Sequence, residues 1–176
     1  RAGSDCWSFS DCYASTASVG APPDDFNAIG QDWGLPPLIP EALRARGHEP
    51  FVLGLRANMR HAGALRIDHV MGLMRLYWVP PGATAREGGY VGYPVDEMLA
   101  IVRLESHRSR CLVVGEDLGT VPDAIRAALS DAGVLSCRLL YFERDANGEF
   151  LPPQSYPRDA LVSVGTHDLP TLAGWW

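Results

Sequence analysis

The chain has 176 residues, of which 47 % are hydrophobic, and a formal net charge of −6. This composition is typical of a globular domain with a sizeable core. The acidic balance disfavours nucleic acid and anionic membranes as partners, because both require a basic footprint, and no run reaches the ~18 apolar residues of a membrane span. All 15 basic residues are arginine, which excludes Schiff-base chemistry on an enzyme lysine and phosphate loops that need a lysine.

The first forty residues give few regular signals. Residues 1–20 show no clear periodicity and receive no assignment. Residues 21–40 are rich in proline, which fixes φ and removes hydrogen-bond donors, so they are predicted to form a loop rather than a helix or a central strand. A long loop that holds Phe26 and Trp33 is often functional, although a surface loop fastened by two aromatic side chains is an equally good interpretation.

From residue 40 onward, strands and helices alternate. Hydrophobic spacing and turn residues predict helices over 40–47, 50–61, 94–107 and 120–131, and strands over 64–68, 110–115, 136–142 and 160–165. Between them lie an apolar stretch over 72–81, a glycine-rich loop over 82–93 and a polar loop over 143–158. This alternation favours parallel strands joined by right-handed crossovers. A closed β/α barrel needs eight strands and typically ~250 residues, so four strands predict either a smaller open sheet or part of a barrel.

Three of these apolar runs end in carboxylates. Asp68 follows the first, Glu116 and Asp117 follow the second, and Asp168 follows the last. Charge at the ends of buried strands is costly unless it is used, and in a β/α barrel such ends converge on one pocket. The pattern therefore predicts an active site with several carboxylates.

Each carboxylate has a functional and a structural interpretation. Arg66 and Asp68 share one strand face, so the arginine favours an ionised, nucleophilic carboxylate, but a purely structural ion pair is also consistent. Glu116, partly shielded from water, could hold a proton for a leaving group; alternatively Glu116 and Asp117 complement the N-terminus of the next helix, a role that suits Asp117. His167 and Asp168 could simply satisfy each other's hydrogen bonds.

Two carboxylates on either side of a bond are what glycoside cleavage requires, and a third can stabilise the developing positive charge. Aromatic side chains such as Trp33 and Phe26 suit stacking against sugar rings. A metal-dependent barrel hydrolase is a second possibility, with candidate ligands at His61, His69, Asp68, Glu116 and His167. No His-x-His or His-Glu-x-x-His spacing supports that alternative. A third, non-enzymatic possibility is a truncated chain that at most binds sugar.

The motifs resemble those of the amylomaltases, the 4-α-glucanotransferases or disproportionating enzymes. They are Ala-Leu-Arg-Ile-Asp-His at 64–69, Gly-Glu-Asp-Leu-Gly at 115–119 and Thr-His-Asp at 166–168. The segment 21–34, with Ala-Pro-Pro-Asp-Asp-Phe and Gly-Gln-Asp-Trp-Gly, separates this family from the α-amylases, which share only the acidic motifs. The resemblance covers about residues 19–176, whereas residues 1–18 match poorly.

The resemblance implies an α/β fold, a partial TIM (β/α)8 barrel that covers roughly strands four to seven. Residues 1–176 would form a partial catalytic domain in which 21–40 cover the substrate and strands one to three and eight are absent. The implied reaction transfers α-1,4-glucan segments between maltooligosaccharides, or starch- or glycogen-derived glucans, by a retaining double displacement. No metal or organic cofactor is implied, and the four cysteines without Cys-x-x-Cys spacing predict free thiols in the cytoplasm.

The family's motifs also imply residue roles. Asp68 would be the nucleophile, Glu116 the general acid and then base, and Asp168 the transition-state stabiliser. The other implied site residues keep the nucleophile ionised, bind sugar hydroxyls or cover the acceptor: Arg66, His69, His167, Asp24, Gln31 and Trp33. At Asp25 several family members carry an aromatic residue. An α-glucan hydrolase of the α-amylase type, or an inactive fragment, is the alternative.

Overall fold

The computed structural model describes residues 4–24, 27–119, 121–166 and 169–175. Its α-helices are α1 (Asp5–Ser8), α2 (Pro40–Ala45), α3 (Glu49–Met59), α4 (Val95–Ser109), α5 (Asp123–Asp131) and α6 (Leu172–Trp175). Its strands are β1 (Ser18–Ala21), β2 (Gln31–Leu35), β3 (Ala64–Ile67), β4 (Arg75–Val79), β5 (Gly89–Gly92), β6 (Leu112–Gly115), β7 (Ser136–Leu139) and β8 (Ala160–Ser163). Short 3-10 helices cover Ser10–Cys12, Val70–Leu73, Ala85–Glu87 and Pro153–Ser155. Among the residues so described, no helix is long and apolar enough to cross a membrane.

The four predicted parallel strands are present and lie side by side in the order β3, β6, β7, β8. β3 pairs in parallel with β6, and β7 pairs in parallel with β8. A parallel bridge between Val114 and Leu135 joins the two pairs, and the Gly115 N–H donates to the Leu135 carbonyl at 2.8 Å. Because all four strands run the same way, their carboxyl ends share one edge.

The main hydrophobic core lies between the β3–β6 pair and helices α2 to α5. Leu43 of α2 and Val102 of α4 are almost completely buried there, and so is Met59 of α3. Burying each such side chain contributes about 1.5–3 kcal/mol, so this layer is the main energetic reason that the helices stay on the strands. The remaining buried members of the cluster are Leu55, Val70, Leu73, Met98, Leu99, Cys111, Val113, Leu129 and Val134.

A second, antiparallel sheet has the order β2, β1, β4, β5. The prediction of a continuous loop over 21–40 is therefore wrong at Gln31–Leu35, and the glycine-rich loop over 82–93 contains β5. Both strands are edge strands, and every residue of β2 is exposed. Such strands lack the apolar alternation that identifies a half-buried strand, so the sequence pattern does not reveal them. The Tyr77 hydroxyl donates to the Ala85 carbonyl at 2.8 Å beneath this sheet.

Most predicted helices agree with the structure within a few residues. The helix predicted from residue 120 begins at Asp123 and ends at Asp131. Thr120 itself lies outside the described residues. Gly133 has a φ of 71°, which only glycine adopts without strain, and it leads the chain from α5 back to the sheet.

Candidate active site

The strand register brings two of the predicted acids to neighbouring strand ends. Ile67 of β3 pairs with Gly115 of β6, so Asp68 and Glu116 are the next residues along adjacent parallel strands. The Glu116 N–H donates to the Ile67 carbonyl at 2.9 Å, which extends the ladder to the glutamate. Adjacent strands lie about 4.8 Å apart, so the two acids start from neighbouring backbone positions.

The Glu116 carboxylate is held in place by two backbone N–H groups. Its Oε2 accepts from the His69 N–H at 2.9 Å, and its Oε1 accepts from the Leu118 N–H at 3.0 Å. His69 has a left-handed φ of 45°, at the point where the chain passes from β3 into the 3-10 helix Val70–Leu73. These contacts fix the direction of a side chain that is only partly buried.

Asp68 combines an ion pair with exposure to the open edge. Arg66 Nη1 lies 2.5 Å from Asp68 Oδ1, which confirms that the two side chains share one face of β3. The Asp68 side chain is 70 % exposed, so its free oxygen is accessible to a ligand, while the Arg66 side chain is 34 % exposed. A paired but accessible carboxylate is suited to nucleophilic attack.

Trp33 of the exposed edge strand β2 lies against His69, beside the strand ends that carry Asp68 and Glu116. The rings of Trp33 and His69 meet edge to face with centroids 5.4 Å apart, and Trp33 Nε1 donates to Gln31 Oε1 at 2.9 Å. Burial lowers the pKa of His69, against the opposing charges of Glu116 and Asp68, so the imidazole favours its neutral form. Two predicted substrate-binding side chains therefore line the edge beside the acids.

Other predicted site residues are not brought into this group. Asp24 is exposed, and its Oδ1 accepts from the Asn27 N–H at 2.6 Å. His61 precedes β3, so it lies toward the opposite end of that strand from Asp68. Asp25, Phe26, His167 and Asp168 lie outside the described residues. Within the part of the chain that is described, no three His, Cys, Asp or Glu side chains are grouped to hold a metal ion.

Asp117 has a different environment from the one predicted. The sequence predicts that it complements the N-terminus of the next helix, whereas in the structure its side chain is 3 % exposed and lies 2.5 Å from Nη1 of Arg126, a side chain of that helix. Its Oδ1 also accepts the backbone N–H of Cys137 in β7 at 2.8 Å. The sequence offers no local signal for this contact, because Cys137 is twenty residues away and is brought close only by the pairing of β6 with β7.

A small cavity of about 230 Å³ lies beside Arg66 and is lined by Cys137, Leu161, Ser163 and residues 165–166. Burial raises the pKa of the Cys137 thiol, and the charge of nearby Arg66 opposes that shift. The thiol therefore stays protonated and packs as a small apolar group.

Comparison with known proteins agrees with the motifs. The family model described as 4-alpha-glucanotransferase matches residues 1–176, so the resemblance includes residues 1–18, contrary to the prediction. A 4-alpha-glucanotransferase of Haemophilus influenzae is 52 % identical over 176 residues, which are 100 % of this chain and 25 % of that protein. One of Mycobacterium tuberculosis is 46 % identical over 177 residues, 98 % of this chain and 24 % of that protein.

Solved structures give the same result. An amylomaltase from Corynebacterium glutamicum matches with a TM-score of 0.93 and 38 % identity, over 99 % of this chain and 25 % of that one. An amylomaltase from Streptococcus agalactiae in complex with acarbose has a TM-score of 0.83 at 23 % identity, over 97 % of this chain and 36 % of that one, and at this identity it supports the fold alone. The chain thus spans about a quarter of the length of the Haemophilus influenzae and Mycobacterium tuberculosis relatives. On the match of the family model to every residue, the chain belongs to the 4-alpha-glucanotransferase family.

Proposed function

We propose that this chain carries catalytic residues of a 4-α-glucanotransferase that moves α-1,4-glucan segments between maltooligosaccharides. The observation that supports it most directly is the register of β3 with β6, since Asp68 and Glu116 follow paired residues at one open edge. The proposed third carboxylate, Asp168, rests on the family's motif alone. In family terms Asp68 is the nucleophile, Glu116 the acid and base, and Asp168 the stabiliser of positive charge.

In the first step, an Asp68 oxygen attacks the anomeric carbon of the donor glucan. The bond from that carbon to the glycosidic oxygen breaks, and Glu116 transfers its proton to the departing oxygen. The sugar is then held as an ester of Asp68. Arg66 Nη1 lies 2.5 Å from Asp68 Oδ1, so a positive charge faces the carboxylate that makes the attack.

In the second step, the acceptor's 4-hydroxyl replaces the departed glucan. Glu116, now a carboxylate, takes the hydroxyl proton while the oxygen attacks the anomeric carbon and the ester bond to Asp68 breaks. Two inversions restore the original configuration. Trp33, which lies against His69 at the open edge of the sheet, offers an apolar face for an acceptor sugar. A sugar bound there excludes water, which favours transfer over hydrolysis.

We further propose that the four parallel strands are strands four to seven of an eight-stranded barrel. Parallel sheets are normally covered on both faces, yet Leu112 is 61 % exposed and Leu161 is 45 % exposed. The outer strands β3 and β8 each have one unpaired side among the described residues. Relatives about four times longer have enough chain to supply the remaining strands.

The four cysteines Cys6, Cys12, Cys111 and Cys137 are all free thiols, consistent with a reducing, cytoplasmic setting.

The direct test uses the intact gene product, meaning the whole polypeptide encoded with these 176 residues. Incubated with maltotriose, it should release glucose and form longer maltodextrins, as chromatography of the products would show. Asp68→Asn should lower the rate by at least about 10³-fold while calorimetry still detects maltooligosaccharide binding. Asp96→Asn, a substitution at an exposed acid in the first turn of α4, is the matched control and should leave the rate unchanged.

Three outcomes would contradict parts of the proposal. If every product were shorter than maltotriose, the result would favour an α-glucan hydrolase, in which water takes the place of the acceptor hydroxyl. Binding without turnover would favour a sugar-binding protein. Activity that disappears on chelation and returns with a divalent metal would revive the metal-dependent alternative.

A further inference from the structure

Asp117 is more deeply buried than Glu116 and takes no part in the two proposed displacement steps. The Asp117 side chain is 3 % exposed, and both of its oxygens are engaged. Oδ1 accepts the Cys137 N–H at 2.8 Å, and Oδ2 lies 2.5 Å from Arg126 Nη1. A buried carboxylate is costly unless it is paired and hydrogen-bonded, and these two contacts meet both conditions, so they fix the Asp117 side chain in one position.

Asp117 continues the contact between β6 and β7 where the backbone ladder ends. The Leu135 N–H donates to Val113, and the Gly115 N–H donates to Leu135. Two residues farther along β7, the Cys137 N–H donates to the Asp117 carboxylate instead. The side chain therefore fastens the end of β6 to its neighbour while the backbone of the 116–118 segment turns out of the sheet.

Arg126 holds the same residue from helix α5. Besides the carboxylate contact, its Nη2 donates to the Asp117 backbone carbonyl at 3.3 Å. That carbonyl belongs to the peptide whose N–H is Leu118, and the Leu118 N–H donates to Glu116 Oε1. Arg126 thus restrains the peptide group that orients the Glu116 carboxylate.

We infer that Asp117 and Arg126 are positioning residues that aim Glu116 at the glycosidic oxygen. This inference rests on the proposed function, because it assigns a role to the pair through the proposed acid and base. Asp117 fixes the start of the turn against β7, and Arg126 fixes the peptide that supplies the Leu118 N–H. Losing either one loosens the Leu118 contact and leaves the Glu116 carboxylate held at one oxygen only, by the His69 N–H, so its aim for proton transfer becomes less exact.

A merely structural role predicts a different pattern from a positioning role. Proton donation is needed when the leaving group is a sugar hydroxyl, but a fluoride ion leaves without a proton. Asp68 attacks the anomeric carbon in both cases. A variant with a misaimed Glu116 should therefore fail on maltotriose and retain the first release of fluoride from α-maltotriosyl fluoride.

The experiment compares Asp117→Asn with Asp123→Asn in the intact gene product. Asparagine keeps the shape and an oxygen for the Cys137 N–H but loses the charge that pairs with Arg126, whereas Asp123 is exposed at the start of α5. Asp117→Asn should lower kcat for maltotriose about 10²-fold with KM within about threefold, and leave the fluoride burst within about threefold. Asp123→Asn should change neither rate.

A second variant keeps the test decisive should Asp117→Asn fold poorly. Arg126 lines a cavity of about 500 Å³ beside α5, so Arg126→Ala leaves room for a small cation. Added guanidinium chloride at non-denaturing concentration should restore the maltotriose rate of Arg126→Ala at least about fivefold, relative to equal sodium chloride.

The outcomes separate this inference from the proposed function. Equal losses on both substrates, or no loss on either, would overturn the positioning role. Failed guanidinium rescue together with a lost fluoride burst would overturn it as well. Glu116→Gln must itself lose maltotriose transfer and keep the fluoride burst. If it does not, the acid and base role proposed for Glu116 fails, and the positioning role fails with it. If it does, a negative result with Asp117→Asn counts against the positioning role alone.

Discussion

The glycine that precedes Glu116 provides a sharp test of how the site is packed. Gly115 is buried at the end of β6, and a Cβ added there would lie 2.8 Å from Val70 Cγ2 and 3.1 Å from Val134 Cγ1. Both valines are buried and β-branched, so neither can rotate away easily. The Gly115→Ala variant must therefore shift backbone or accept strain.

The expected cost is about 1–3 kcal/mol in the free energy of unfolding, the usual range for an overpacked core. Gly54→Ala is the matched control, because Gly54 lies inside α3 and the added Cβ would have no heavy atom within 4 Å apart from its chain neighbours and the backbone of its own helix. Alanine in a helix interior stabilises by roughly 0.5–1 kcal/mol relative to glycine. The two variants should thus differ by about 1.5–4 kcal/mol with opposite signs.

Urea unfolding of the intact gene product, followed by tryptophan fluorescence, measures both values. Transfer from maltotriose should also decrease in Gly115→Ala, because Val70 directly follows the His69 N–H that holds Glu116. Gly54→Ala should retain full activity. The reasoning would be refuted if Gly115→Ala were as stable as the wild type, or if the control lost as much stability as the test variant.

Three further predictions concern charge and stacking. Glu105→Gln should lower the free energy of unfolding by about 1–3 kcal/mol, because the 3 % exposed carboxylate accepts two hydrogen bonds from Arg56; an unchanged urea midpoint would contradict this. The hydrogen bond from Arg56 also holds the pKa of Glu105 below 4.5. The stabilisation is therefore complete above pH 4.5 and is lost as the pH falls through the lower pKa of the folded state. In that acid range the stabilities of wild type and variant should converge. Burial lowers the pKa of His69 below 6.5, so the stability of the folded protein should decrease as the pH falls below 6.5. Between pH 7 and 5, the thermal midpoint of His69→Asn should therefore decrease less than that of the wild type. Trp33→Ala should raise KM for maltotriose about 3- to 10-fold with Trp33→Phe close to wild type, and equal KM values would exclude stacking at this position.

Local patterns in the sequence were enough to predict the parallel strands and the helices between them. Apolar runs followed by acids identify β3, β6 and β8, because strands of a parallel sheet are mostly apolar and a carboxylate costs less beyond the strand than within it. The ion pair of Arg66 with Asp68 is predictable for the same reason, since residues two apart on a strand share a face.

Other features depend on residues that are far apart in the chain and meet only in the folded protein. The exposed strand β2 carries no periodic signal, yet it delivers Trp33 to His69 because β1 and β4 support it. Glu105 is a buried carboxylate on α4, and its burial is compensated by Arg56 of α3, forty-nine residues away, together with Arg108 of its own helix.

The sequence alone determined which chemical groups this protein has and at which strand ends they occur, because the periodicity of a strand and the cost of a buried charge act over a few residues. The tertiary structure alone decided which of those groups are neighbours. Pairing of β3 with β6 brings Asp68 beside Glu116, and pairing of β6 with β7 buries Asp117 against Cys137. Strand order is set by packing across the whole domain, and no short stretch of residues encodes it.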